Sequence, residues 1–528
     1  MSGKNGRHSA EDAVNKHAKT IAKNAAVVAG ATLVSRLFGF VRDIIVAFAL
    51  GAGLFADAFF VAFRIPNLLR RLFGEGSLTM AFIPVYSRTL EEEGEEAAQA
   101  MARSAMIWLA GVLIAITVVV EILARPLTMA IAPGFIDNAE QFQVTIDLVR
   151  ICFPYVIFIC GVALCMGILN SRGHFLAPAL APVALNVALI GSALFGYFMG
   201  YNVAYCMAYG VLIGGAAQWF LQQPFLKKAG FSWRGPWAWR NKGVARMGLL
   251  MLPTVFGAAV YQLNILLGTL LASFLPVGSV SYLYYADRLV QFPLGVFGIA
   301  VSTAALPSLA KLAARNEMEE YDKALSVSLG LTLFIALPAA AGLIGLAEPV
   351  IALLFERGAF TSEAVVATSQ ALVAYSVGLP FIALSRPLVA GFYALEDTKT
   401  PVKIAVACLI ANVGLGVWLM QSMAHVGLAL AVSLSSLLNF ALLHVFLTRK
   451  RGTRLLPAGS AMKTAVLSIL IGWGAYMTGA WTPWCLLLIP IWVVVYVGMA
   501  FILRLNEARL FADMIMARIR RGKTPKGA

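Results

Sequence analysis

Apolar residues run along this chain in long unbroken stretches, most of them 20 residues or more, separated by short polar segments. They do not alternate with polar residues, so the two-residue period of a lipid-exposed barrel strand is absent. Runs of that length are what an α-helix needs to cross the hydrocarbon core of a bilayer. The pattern predicts fourteen helices, over 25–50, 57–83, 104–124, 146–170, 176–199, 203–226, 246–273, 279–309, 325–347, 364–393, 402–421, 424–448, 460–480 and 483–504. The stretch 124–146 has room for a further short interfacial helix. The first run opens near Asn24 and carries two arginines. It is too long and too charged for a cleavable signal segment, so it reads as a retained helix.

Composition sharpens this picture. Of 528 residues, 60% are hydrophobic and 13% charged, and the mean hydropathy is +0.81. A soluble domain carries about 25% charged residues. The deficit excludes a soluble enzyme, a disordered chain and a secreted disulfide scaffold, and indicates an all-α polytopic membrane protein. The net charge of +15 sits in loops and tails. With the N-terminus on the cytoplasmic side, segments on that side hold 31 of the 41 lysines and arginines, and the opposite side holds two, Arg125 and Arg357. One missed helix would invert everything after it, so this bias places both termini in the cytoplasm. Trp233, Trp237 and Trp239 alternate with Arg234 and Arg240 after the sixth span, which reads as an interfacial anchor and not as a nucleic-acid surface.

The familiar signs of enzymatic, metal or cofactor chemistry are missing. The six cysteines lie in apolar stretches without a CxxC pair, so neither a metal site nor a disulfide framework is expected. The one Gly-Lys-Thr, at Gly522–Thr524, has Ala517 where a phosphate-binding loop requires glycine. The five histidines lie in tails, loops or span ends. No cofactor or metal is implied, and the chain is not expected to be an enzyme.

The chain repeats itself. Pro84 and Pro307 lie 223 residues apart, Pro154 and Pro380 226, Pro178 and Pro401 223, and Asn186 and Asn412 226. They fall in one order at matching helix positions. An offset of six helices keeps orientation, so two six-helix lobes related by an axis along the membrane normal are expected. The expected organisation is a basic cytoplasmic tail over 1–24, an N-lobe over 25–230, a C-lobe over 244–450, a final helix pair over 456–505 and a second basic tail over 506–528.

Charged residues inside the spans are the candidate chemistry. Span 1 carries Arg36, Arg42 and Asp43; span 2 carries Asp57, Arg64, Asn67, Arg70, Arg71 and Glu75; span 8 carries Asp287 and Arg288. An arginine at mid-bilayer costs at least about 2.5–3.5 kcal/mol when it faces lipid. These residues must therefore face one another or a watery cavity. Seven residues make nearly two helical turns, so Arg36 and Asp43 share a face, as do Asp57, Arg64 and Arg71. Pro66 is placed to kink span 2. The acids could simply neutralise the arginines in static pairs, and Arg64 and Arg386 could snorkel to the surface. The count favours a ligand, with Arg36, Arg42, Arg70, Arg71 and Arg288 outnumbering Asp43, Asp57, Glu75 and Asp287. Guanidinium forks suit a polyanion such as a phosphate.

Several segments together carry a resemblance. Ser35-Arg36 to Arg42-Asp43, Asp57-Ala58-Phe59-Phe60, Pro66-Asn67-Leu68-Leu69-Arg70-Arg71, Ala132-Pro133-Gly134-Phe135, Tyr285-Ala286-Asp287-Arg288, Leu354-Phe355-Glu356-Arg357-Gly358 and Lys399-Thr400-Pro401-Val402-Lys403 are similar to the MurJ (MviN) family of the multidrug/oligosaccharidyl-lipid/polysaccharide exporter superfamily. The resemblance covers about 25 to 505 and implies a bacterial cytoplasmic-membrane flippase. Its substrate would be lipid II, the undecaprenyl-pyrophosphate-linked disaccharide peptide of cell wall synthesis. It implies fourteen transmembrane helices, two lobes around a V-shaped central cavity, and a final helix pair forming a groove for the lipid tail. It makes Arg36, Arg42, Arg70 and Arg288 required cavity cations, Asp57 an essential acid, and Asp43 and Glu75 cavity-lining. It also implies membrane lipids and peptidoglycan-synthesis proteins as partners. Some relatives hold sodium through acids on helices 7 and 11, but 247–286 and 404–446 contain no Asp or Glu here. A flippase for another lipid-linked oligosaccharide, or a non-transporting scaffold for wall synthesis, remain the other readings. The intramembrane arginines separate the last of these, because a scaffold has no use for a charged cavity.

Overall fold

The computed structural model describes residue 28 and residues 30–71, 78–295, 299–453, 455–479 and 485–513, with the side chains of 253–261, 299–304, 458 and 485–487 left aside. Both expected basic tails, apart from 506–513, and Glu75 lie outside these residues. Every described element is helical. Within the described residues, each of the fourteen expected stretches falls on helix.

The first unit begins with α1 (30–50). It continues with α2 (Leu54–Leu69), α3 (Leu78–Glu92), α4 (Glu95–Ile122), the short α5 (Ala124–Ile131), α6 (Ala139–Cys152), α7 (Tyr155–Ser171), α8 (Leu176–Met199), α9 (Val203–Lys228) and α10 (Lys242–Ser273). The second part of the chain forms α11 (Ser279–Pro293), α12 (Ile299–Ala314), α13 (Met318–Gly345), the short α14 (Ala347–Phe355), α15 (Ser362–Ala394), α16 (Lys399–Arg451), α17 (Ala458–Gly479) and α18 (Cys485–Ile502). Among the described residues, seven helical stretches are long and apolar enough to cross a membrane by length and composition. A short helix, α5, falls within 124–146.

Local chemistry sets the ends and breaks. The side chains of Asn138, Asn202 and Thr361 accept hydrogen bonds from backbone N–H groups at the starts of α6, α9 and α15, satisfying donors that an open helix end leaves unmet. Pro154, which lacks an N–H, separates α6 from α7. The two expected spans 402–421 and 424–448 run together as α16, interrupted only at Ala424 (φ 47, ψ −128). α16 closes on Gly452 in the left-handed region (φ 70), a conformation glycine adopts without penalty. Asp397 joins both ends of this hairpin: its carboxylate accepts from the Thr400 N–H at 3.1 Å and from the Lys450 ammonium at 2.9 Å.

By its packing the chain divides into two compact units, Met1–Leu266 and Leu267–Ala528. The division falls inside α10, beyond the 231–243 loop where the sequence places it. Met247 explains the shift, because it packs into the first unit's core with Ala98, Met101 and Leu226. Among the described residues each unit shows the same order of elements: two helices in succession, the second containing Pro84 or Pro307, then a long helix, a short one, a helical stretch with an internal proline or proline break, and a closing pair.

Helices come close where glycine permits it. A Cβ on Gly210 or Gly214 of α9 would meet Ser192 Oγ at 2.1 Å or Leu185 Cδ1 at 2.6 Å on α8. The G-x-x-x-G of α9 is thus a packing seam. In the second unit a Cβ on Gly345 of α13 would lie 2.3 Å from the Gly472 carbonyl oxygen of α17. The residues left exposed along the helices include Ile122, Phe198, Phe220, Leu249, Ile469 and Val494, the kind of surface a lipid-facing helix presents.

One buried cation is spent entirely on backbone. Arg103 of α4 donates to the carbonyls of Ser232, Arg234 and Pro236 at 2.6–2.9 Å. Ser104 Oγ accepts from the Ala238 N–H, and Trp108 Nε1 donates to the Trp239 carbonyl. The aromatic and basic loop after α9 is therefore pinned to the start of α4.

Candidate functional site

The clearest charged constellation lies in the first unit, on α1 and α8. Arg42 is mostly buried, and Asp43 is 3% exposed. One oxygen of Asp43, Oδ1, accepts from Arg42 Nε at 3.0 Å and from an Arg42 terminal nitrogen at 2.7 Å. The other terminal nitrogen of Arg42 donates to Asn186 Oδ1 on α8 at 3.0 Å. Asn186 in turn donates from Nδ2 to the Ser35 carbonyl at 3.4 Å.

The shared face of Arg36 and Asp43 is not a contact: Asp43 pairs with Arg42, and Arg36 is exposed. Seven residues advance a helix by about 10 Å, farther than a guanidinium reaches. The flexible stem of Arg42 lets its head bend onto the neighbouring carboxylate instead.

On α2, Asp57 is buried at 1% exposure, one turn inside the helix start, while Arg64, Asn67, Arg70 and Arg71 are half-buried. Pro66 sits within the helix, which ends three residues later at Leu69. Arg70 Nε donates to Asn67 Oδ1 at 2.9 Å. The P-N-L-L-R segment is thus a local clamp that turns a guanidinium by its own asparagine.

In the second unit, α11 carries Asp287 and Arg288, both half-buried. Arg288 donates to Tyr284 Oη at 3.2 Å and stands over the same ring at 4.7 Å from its centroid. A cation on an aromatic face keeps its charge while losing water. Asp287 Oδ1 accepts from Gln291 at 3.4 Å. Beneath them Tyr285 is fully buried against Phe355 and Phe360, at ring separations of 5.2 and 5.4 Å. The segment Leu354–Gly358 therefore supports α11 by packing.

The constellation in each unit is a set of guanidinium groups oriented by neutral or acidic partners, suited to anions. No group of three or more His, Cys, Asp or Glu able to hold a metal ion occurs among the described residues. Sequence reasoning used Asn186 only as a repeat marker, and nothing in its local sequence marks it as a partner of an arginine; Tyr284, four residues before Arg288 on one helix, carries that signal in its spacing.

The family model described as lipid II flippase MurJ matches residues 46–501. This chain belongs to the MurJ family. A lipid II flippase MurJ from Burkholderia cenocepacia is 38% identical over 429 residues, covering 80% of this chain and 83% of the relative. A solved structure of a lipid II flippase MurJ in an inward closed conformation superposes with a TM-score of 0.78 at 27% identity, covering 93% of this chain and all of the other. An inward-facing multidrug MATE transporter shares the fold alone, with a TM-score of 0.66 at 15% identity over 81% of this chain and 98% of the other. The MurJ membership makes this chain a multi-pass membrane protein of helical architecture. Its relatives by name are flippases.

Proposed function

We propose that the protein flips lipid II from the inner to the outer leaflet of the bacterial cytoplasmic membrane by alternating access, with both termini in the cytoplasm. The observation that carries this reading is a match to the lipid II flippase MurJ family over 46–501, in a chain whose first span holds a mostly buried, oriented guanidinium at Arg42. Arg36, Arg42, Arg70 and Arg288 grip the pyrophosphate and the acidic groups of the head, with Arg71 and Asn67 alongside. Asp43, Asp57, Asp287 and Glu75 exchange ion pairs as the N-lobe (25–230) and C-lobe (244–450) rock. The polyprenyl tail stays in lipid along the helix pair over 456–505. Peptidoglycan-synthesis proteins consume the product on the far side.

With no nucleotide motif, and no Asp or Glu in 247–286 or 404–446 to hold sodium, the membrane potential is the driving force this reading favours, since each charge crossing 100 mV gains about 2.3 kcal/mol.

The test is leaflet-resolved accessibility of lipid II in cells depleted of this protein. Depletion should trap lipid II inside, and the wild-type chain should release it. Lipid II that still reaches the outer leaflet during depletion, with no other flippase expressed, refutes the reading. Orientation is checked separately: single cysteines near Lys227, Lys311 and Arg451 should label from the cytoplasm alone.

A further inference from the structure

We infer that Asn186 is a positioning residue of the candidate anion site, fixing the plane of the Arg42 guanidinium from the neighbouring helix α8. The inference rests on the reading of Arg42 as a ligand of the lipid-linked pyrophosphate.

The geometry carries it. Asp43 Oδ1 accepts from both Nε and one terminal nitrogen of Arg42, which holds one edge of the guanidinium. Asn186 takes the opposite terminal nitrogen at 3.0 Å, 144 residues away in sequence. Anchors on two edges set the orientation of the group more firmly than one. A bidentate bond to phosphate requires the fork to arrive in a set orientation, and orientation secured before binding raises affinity.

Asn186 is itself oriented. Its Nδ2 donates to the Ser35 carbonyl, nearly two turns before Arg42, which leaves Oδ1 facing the guanidinium. The reversed amide would set its N–H groups against those of Arg42. Asn186 is 5% exposed, and a Cβ built on Gly39 would stand 3.7 Å from its Nδ2. Glycine inside a helix costs stability relative to alanine. At position 39 a methyl group would reach ordinary contact with the amide, so the small residue places α1 and Asn186 side by side.

The experiment uses purified full-length protein in lipid nanodiscs with two readouts. Arg42 modification by phenylglyoxal, followed by peptide mass spectrometry, reports how firmly the guanidinium is held. Lipid II affinity reports what that does for binding. Asn186→Leu keeps the branched shape and the number of heavy atoms and removes both hydrogen bonds. We expect Arg42 modification to speed up about threefold or more while Arg150, exposed on α6, is unchanged. The lipid II Kd should rise about tenfold.

In an Arg42→Lys background the same Asn186→Leu change should alter Kd less than twofold, because an ammonium has no fork to orient. Unchanged Arg42 modification overturns the inference. So does an equal loss of affinity in both backgrounds, which is what a role in packing α1 on α8 would give. Faster modification together with no lipid II binding by any variant, wild type included, leaves the positioning intact and refutes the functional reading.

Discussion

Asp43→Asn is the perturbation that probes the ion pair most cleanly. The side chains of Arg42 and Asp43 are 14% and 5% exposed, and one oxygen carries two charge-assisted bonds of 2.7 and 3.0 Å. Breaking a fully buried pair by removing one partner costs about 3–5 kcal/mol, because the other charge is stranded. Two features reduce that figure here. The amide oxygen of asparagine can still accept both bonds, with each falling from about 1.5–3 to about 0.5–1.5 kcal/mol. Asn186 also continues to hold the third nitrogen. The expected loss is therefore about 2 kcal/mol, close to a thirtyfold change in the folded-to-unfolded ratio. Equilibrium unfolding in mixed micelles measures it, with Arg42→Met and the double variant completing a thermodynamic cycle. The coupling should reach at least about 1 kcal/mol. Asp43→Asn within 0.5 kcal/mol of wild type, together with zero coupling, would refute the view that this carboxylate stabilises a desolvated cation.

Three further outcomes follow from the packing and the helix ends. Ala424 adopts φ 47, ψ −128, a backbone region suited to glycine, so Ala424→Gly should stabilise the hairpin by about 1 kcal/mol and raise the melting temperature; a lower one counts against strain there. Gly345→Ala places a methyl 2.3 Å from the Gly472 carbonyl oxygen and should cost about 1–3 kcal/mol by forcing α13 from α17, read as a fall in melting temperature. The Lys450 ammonium, with the Thr400 N–H, holds the Asp397 carboxyl below its ordinary range. That contribution is complete above the unfolded value near 4 and fades as pH falls through the lower folded value. Asp397→Asn should therefore cost something under about 1 kcal/mol at neutral pH, and the difference from wild type should shrink only below about pH 4; a gap unchanged at pH 3 contradicts the assignment.

The helices were legible because a twenty-residue apolar run is a local property of the chain. Helices α8 and α9 begin where the sequence places them, and Gly200 and Asn202 between them are the residues that end the one and cap the other. The packing role of Gly210 and Gly214 was legible for the same reason. What the sequence concealed is choice among partners. Helical spacing placed Asp43 and Arg36 on one face, and periodicity reports a face, not a bonded partner. Asn186 meets Arg42 across 144 residues, and no local pattern marks that approach. Arg103 was hidden further still, because its acceptors are backbone carbonyls, which every residue has. The unit boundary moved into α10 because Met247 joins the first core, a matter of tertiary packing alone.

The pinned loop after α9 also sets an order of events during synthesis. Arg103 enters the chain early, yet the carbonyls that receive it lie 129 to 133 residues later. Until α9 has been made and Ser232 to Pro236 have emerged, this cation must stay hydrated, holding the start of α4 at the water-exposed edge of the bilayer. Arg172 does not wait in the same way, because Glu95 and the Tyr86 hydroxyl, which receive it, precede it in the chain. The loop's arrival therefore discharges Arg103 in particular and acts as a completion signal for that end of the first unit. A nascent chain stopped before Ser232 would display the Arg103 guanidinium unclaimed, a mark by which membrane quality control could tell an unfinished protein from a finished one.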